Sequence, residues 1–194
     1  MITIEQVKEL RDKTGISVIQ CKKALEEANG DIEKAKIILQ KKSGVIANKK
    51  ANRELKAGAV NAYIHNSGDV AAMVLLSSET DFVAKNEEFV KLAYDIAMHI
   101  AAMNPSFIKK EDITEDEINN AKEVFMKEIK DKPKEMKERI LQGKIDSYFK
   151  DKILLEQPFI KDSNSVIRDI IESATQKFGE RIEVTDFARF SVRG

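Results

Sequence analysis

The 194-residue chain is poor in the side chains that most often carry chemistry, with one cysteine, Cys21, and two histidines, His65 and His99. A lone cysteine excludes an intrachain disulfide and fits a reducing compartment. It also leaves too few ligands for a zinc site, because the two histidines lie far apart in the sequence. No glycines stand in the G-x-x-x-x-G-K-[ST] or G-x-G-x-x-G order, so the chain has no phosphate-cradling loop of its own. No apolar run approaches the roughly 20 residues of a membrane span, and the N-terminus lacks the charged-then-apolar layout of a signal peptide. These absences predict a cytoplasmic protein with no metal or cofactor and no contact with a membrane.

Hydrophobic residues make up 42% of the chain and charged residues 34%, a globular composition with a charged surface. The formal net charge is zero, yet residues 1–56 hold 13 Lys/Arg against 8 Asp/Glu, so the front is basic and the remainder acidic. The acidic pairs Glu26-Glu27 and Glu87-Glu88 are adjacent on helices and point apart, which is poor geometry for paired-carboxylate catalysis. Cys21, beside Lys22 and Lys23, would support a thiol enzyme only if its pKa were lowered; a small helix residue near a core explains it better. No catalytic centre is expected.

Three helices are expected at the front. Thr3 with Gln6 and Ser17 with Gln20 have capping-box spacing, and Asp31 can cap a third helix. Apolar stripes run through Ile4, Val7 and Leu10, then Val18, Cys21 and Leu25, then Ile32, Ala35, Ile38 and Leu39. Gly15, Gly30 and Gly44 fall where C-caps belong. Residues 1–44 thus read as a compact three-helix domain, and 45–56 as a basic linker helix. Such a bundle could be a DNA reader, but neither the second nor the third helix opens on the Arg, Asn or Gln cluster that reads bases. The basic run Lys41, Lys42, Lys49, Lys50, Arg53 and Lys56 could meet phosphates; without interleaved aromatics it reads more simply as a solvated face.

From Ala57 the period changes to that of strands. Val60, Ala62 and Ile64 alternate with Asn61, Tyr63 and His65, then Asn66-Ser67-Gly68-Asp69 turns the chain. Val70–Leu76 is so apolar that it predicts a strand buried on both faces. Further on, Phe89, Ala93, Ile96, Ala97, Ile100 and Ala101 form a helix stripe that Asn104-Pro105 ends, with His99 off the stripe at a polar or interface position. Thr114 with Glu117 opens a charged helix, Lys130–Pro133 breaks it, and a second helix follows. Their narrow apolar seams, Ile118–Ile129 and Met136–Phe149, predict an antiparallel helical hairpin over about 114–152. Val166, Ile170, Ala174 and Phe178 mark a last helix stopped by Gly179. Ile182–Val192 reads as a closing strand with Ala188, Phe190 and Val192 inward, and with an edge position or bulge at Asp186. The fold class is α+β, with 57–194 as the core.

Between the apolar strand and the stripe helix lies Ser77–Glu88, SSETDFVAKNEE, where a carboxylate and a ring stand side by side as Asp81 and Phe82. Strand-to-helix turns are exposed and carry function. The plain reading is that Thr80 or Asp81 caps the following helix while Phe82 tucks beneath the turn.

The stretch TDFVAKN resembles the signature of the elongation factor Ts family. So do, in order, Val7-Lys8-Glu9-Leu10-Arg11, the run Cys21–Asp31, Ile96–Ala102, Asn104-Pro105 and Glu156-Gln157-Pro158-Phe159. That resemblance implies a guanine nucleotide exchange factor that strips GDP from elongation factor Tu, an ubiquitin-associated-like N-terminal domain and a coiled-coil protrusion in the place of the helical hairpin. It assigns partner contact and displacement of magnesium to Thr80, Asp81, Phe82 and Val83, with further contacts at Lys8, Arg11, Val18, Ile19 and His65. Long members carry two related core halves, whereas this chain has one hairpin and resembles the short, single-core members, which implies a homodimer. The competing expectations are an RNA- or ribosome-associated adaptor that uses Lys41–Lys56, and the Cys21 thiol enzyme.

Overall fold

The computed structural model of the protein describes residues 2–130 and 133–192. Eight α-helices and two antiparallel sheets are present among them, so the chain is of mixed α+β class. Helices α1 (Ile4–Thr14), α2 (Val18–Glu27) and α3 (Ile32–Lys50) enclose a small core of Leu10, Ile16, Cys21, Ala24, Leu25, Ala35 and Leu39. Thr3 and Gln6 form the reciprocal box at α1. At α2 only Ser17 caps, because the Gln20 side chain is turned away to accept from Gln176 Nε2 at 3.0 Å. Gly15 takes a left-handed φ of 68° and ends α1, where any side chain would be strained. Gly44, read as a C-cap, lies inside α3 instead. The helix runs on to Lys50, so much of the basic stretch 45–56 continues it.

Strands β1 (Ala57–Ile64) and β2 (Val70–Ser78) form the expected hairpin, and β5 (Glu183–Ser191) adds to the far side of β2, giving the order β1-β2-β5. Helix α5 (Glu87–Met103) and helix α8 (Ile167–Phe178) enclose the main core with the sheet, around Val74, Leu76, Phe89, Ile96, Ile100 and Ile167.

The facing of the strands departs from the sequence reading. Ala57, Ala59, Asn61 and Tyr63 are the half-buried set of β1, whereas Val60 and Ile64 are 63% and 67% exposed. Ala57 and Ala59 let α5 pack closely on β1, and Asn61 and Tyr63 meet that helix at the Val90 carbonyl and the edge of the Tyr94 ring. Nor is β2 buried on both faces: Ala72, Val74 and Leu76 point to the core, while Met73 is 45% exposed on the other side. On β5 the expected bulge is present, since Leu75 pairs with Asp186 and Leu76 with Val184, leaving Thr185 extra. One extra residue changes which side chains face the core. Phe190 and Val192 are therefore outward and exposed rather than inward, while Val184 is buried. The outer face of the sheet carries the rows Ile64, Ala71 and Phe190, then Ala62, Met73 and Ala188.

Helices α6 (Glu115–Glu128) and α7 (Lys134–Lys150) lie against each other in opposite directions, since Glu128 pairs with Lys144 at 2.6 Å and Phe125 meets the Tyr148 ring edge-on. Thr114 and Glu117 form a full capping box at α6. The expected break at Lys130–Pro133 includes Asp131 and Lys132, which lie outside the described residues. A two-stranded ribbon, β3 (Pro158–Phe159) with β4 (Asp162–Val166), leads into α8. His99 is fully buried rather than at an interface, with Nε2 2.9 Å from Gln157 Oε1 and Nδ1 accepting from the Ile160 N–H.

Candidate functional site: an exposed ring and carboxylate on a capped turn

After Ser78 the chain leaves β2 and makes a single helical turn, α4 (Asp81–Ala84), before Asn86 caps α5. The sequence reading expected one helix here, and the extra turn is what sets the site. A helix of four residues has almost no stability of its own, since nucleation is unfavourable. Two things hold this one. Thr80 is its N-cap, accepting from the Val83 N–H at 3.5 Å, and Val83 and Ala84 are buried in the main core at 5% and 7% exposure.

With Val83 turned inward, Phe82 points out and is 82% exposed. The plain expectation of a ring tucked beneath the turn is not what the fold contains. Asp81 is also in solvent, and its carboxylate pairs with Lys85 one turn on, at 2.7 Å. The Lys85 hydrogen bond and charge hold the Asp81 carboxyl below its ordinary value. Because both side chains are three-quarters exposed, this pair is weak and readily exchanged for another partner.

Residues that the sequence reading did not single out support the turn. Glu180 receives two bonds from Thr80, at Oε1 from the hydroxyl (2.6 Å) and at Oε2 from the backbone N–H (3.0 Å). Glu79 accepts from the Arg181 N–H at 2.6 Å and from the Arg53 guanidinium at 3.3 Å. Burial pushes the Glu79 carboxyl up, but those two donors outweigh it and the net shift is downward. Arg181 also donates to the Arg53 carbonyl. The sequence offers no short-range signal for these pairs, because Arg53 lies 26 residues from Glu79 and the partners at 180 and 181 lie a hundred residues or more from theirs.

The other candidate residues fall into two places. Lys8 and Arg11 are exposed on α1, and Val18 and Ile19 open α2 at 48% and 68% exposure. The loop that joins α1 and α2 lies on Lys177, whose ammonium pairs with Glu88 at the start of α5, so that loop approaches the start of the helix that follows α4. His65 is at the opposite end of the hairpin, with Nδ1 3.1 Å from the Tyr63 hydroxyl. Eight strand residues separate it from the α4 end, roughly 26 Å at the usual rise. One partner touching both must be large.

The remaining candidates carry less. Cys21 is buried and its thiol is pushed up by that burial, which disfavours the reactive thiolate. Of the basic run, Lys42 pairs with Glu27, Arg53 with Glu79 and Lys56 with Glu54, while Lys50 donates to the Gly179 carbonyl. Four of six cations are thus engaged internally, which weakens the case for a phosphate-binding stripe. Among the described residues no group of three or more His, Cys, Asp or Glu is placed to hold a metal ion, and no helix is long and apolar enough to cross a membrane.

Residues 22–194 match a family model described as Elongation factor TS. The chain is 48% identical over 192 residues to elongation factor Ts of Thermodesulfovibrio yellowstonii, which covers 98% of this chain and 96% of that one. It is 45% identical over 194 residues to elongation factor Ts of Thermosipho melanesiensis, covering 99% of each. To elongation factor Ts of Herpetosiphon aurantiacus it is 41% identical over 193 residues, 98% of each.

Proposed function

The chain belongs to the elongation factor Ts family, and from that membership we infer that it is the guanine nucleotide exchange factor of elongation factor Tu in the elongation phase of protein synthesis. A GTPase holds GDP through backbone N–H groups of its phosphate loop and through a magnesium ion that bridges phosphate oxygens. A protein that binds the nucleotide-free form more tightly than the GDP form weakens GDP binding by the same factor, without any group that makes or breaks a bond. GTP can then take the vacated site.

The observation that carries the mechanism is the exposed Phe82 beside Asp81 on a turn whose next residue is anchored in the core. Phe82 enters elongation factor Tu beside the magnesium site and parts two packed elements. Asp81 exchanges Lys85 for groups that otherwise order the ion, while Thr80 and Val83 hold the turn. Burying one Phe ring supplies about 1.5–3 kcal/mol, roughly a tenfold to hundredfold change, so a wider interface must supply the rest. Lys8, Arg11, Val18, Ile19 and His65 extend it. Residues 1–44 act as an ubiquitin-associated-like docking domain, 45–56 as the link, and 57–194 as the core, with the 114–152 hairpin as a coiled-coil protrusion.

The factor works in the cytoplasm as a homodimer that serves two partner molecules, without a cofactor or direct contact with nucleic acid. The outer sheet face supports the dimer: Val60, Ile64, Met73 and Phe190 leave it apolar and uncovered, and monomers rarely expose a patch of that kind. A second copy of the same face is self-complementary about a two-fold axis.

The test is release of labelled GDP from elongation factor Tu with and without this protein. Release accelerated by substoichiometric factor, and slowed again by excess magnesium, is the expected result. No acceleration, with steeply salt-dependent RNA binding instead, would favour the adaptor reading.

A further inference from the structure

We propose that Glu180 is the positioning residue of the exchange tip: through two bonds to Thr80 it sets the direction in which Asp81 and Phe82 are presented. The proposal rests on the exchange reading above and adds to it a residue on a different element, in the connection between α8 and β5.

Thr80 has a single hydroxyl proton and two lone pairs. As N-cap of α4 it must turn a lone pair to the Val83 N–H, and that bond is long, at 3.5 Å. Left to itself the hydroxyl can rotate away. Glu180 Oε1 accepts its proton at 2.6 Å, which fixes the rotor with a lone pair facing Val83. The second carboxylate oxygen accepts from the Thr80 backbone N–H at 3.0 Å, which fixes the peptide plane where β2 gives way to the turn. A carboxylate is an acceptor at both oxygens, and bonds to it are charge-assisted, so it matches this pair of donors as no neutral side chain does.

Glu180 is itself held on both sides. Gly179 ends α8 in a left-handed conformation, and its carbonyl accepts from Lys50 Nζ at 2.7 Å. The Arg181 N–H is fixed by Glu79 at 2.6 Å, and its guanidinium donates to the Arg53 carbonyl. Residues 179–181 thus tie together the end of α3, the approach to β1 and the turn that carries Phe82. A side chain meant to enter a narrow gap in another protein needs such second support, because small errors in direction cost rate.

The experiment measures GDP release from elongation factor Tu against factor concentration, separating the maximal rate from the half-saturating concentration. Glu180→Ala is expected to lower the maximal rate about tenfold while the half-saturating concentration, set largely by the wider interface, moves less than about twofold. Glu180→Gln, which keeps one acceptor oxygen, should recover part of the loss. In a Thr80→Ala background, which removes the hydroxyl bond but keeps the backbone N–H bond to Oε2, Glu180→Ala should slow release by less than it does in the wild type. Thermal unfolding of each variant separates a turned tip from a loosened fold. A wild-type maximal rate in Glu180→Ala, alongside a slow Phe82→Ala, overturns the positioning role alone. Wild-type rates in both remove the exchange tip, and the role of Glu180 with it.

Discussion

Phe82 and Val83 are neighbours in opposite surroundings, the ring 82% exposed and the valine 5%. One residue touches nothing in its own fold that would miss it, and the other is part of the main core. That contrast separates function from stability in a way that mutation can read. Phe82→Ala should leave the unfolding midpoint within about 0.5 kcal/mol of wild type, as exposed substitutions do. Val83→Ala should cost about 1.5–3 kcal/mol through lost burial and the cavity left behind. Denaturant unfolding followed by circular dichroism checks both.

His99 makes stability dependent on acid. Ile160 N–H must donate, so Nδ1 is the acceptor and Nε2 carries the proton toward Gln157 Oε1, whose amide nitrogen is occupied by the Asp151 carbonyl at 2.6 Å. The ring is therefore neutral, and burial pulls its pKa below the ordinary value despite the Gln157 bond. The unfolded chain takes up the proton near pH 6.5 and the folded chain only at lower pH. Stability is whole above that value and is lost as the pH falls through the interval below it. Denaturation midpoints between about pH 7 and pH 5 should fall more steeply in wild type than in His99→Gln.

Gly58 lies where the two strands of the hairpin approach closely. A Cβ there would stand 2.7 Å from the Leu76 carbonyl oxygen and 3.2 Å from Ser77 Cα, both backbone atoms that cannot swing aside. Gly58→Ala should destabilise by about 1–3 kcal/mol, on the order of 5 °C for a chain of this size. An unchanged melting temperature would mean that β1 can move off β2 at no cost.

The uncovered sheet face predicts the oligomeric state. Wild type should run as a dimer in light scattering at micromolar concentration, and Met73→Glu or Phe190→Glu should run as a folded monomer, since a charge at the centre of an apolar contact is strongly unfavourable. A wild-type monomer would remove the dimer from the account.

Much of this architecture was legible in the sequence, for identifiable reasons. Helix starts were readable at Thr3 and Thr114 because a capping box is a local event within four residues. Gly15, Asn104 and Gly179 stopped their helices as their residue types suggested. What failed was non-local. Which face of β1 turns inward depends on how closely α5 approaches, and the alternating pattern at Val60, Ala62 and Ile64 carries no record of that. The facing of Phe190 follows from the bulge at Thr185 earlier on the same strand, and the place of that bulge is set by pairing with β2, far away in the sequence. The Thr80–Glu180 pair joins residues one hundred positions apart, so TDFVAKN marked the tip while nothing local marked what holds it. Gly44 looked like a helix end and is instead a close packing point against Glu172 on α8.

The most direct measurement is the maximal rate of GDP release from elongation factor Tu under saturating Phe82→Ala and Asp81→Ala. Loss of the ring should slow release about tenfold to a hundredfold, and loss of the carboxylate should slow it as well, with both variants still bound. Release at the wild-type rate from both would contradict the account, since it would mean that the exposed pair on the capped turn takes no part in freeing the nucleotide.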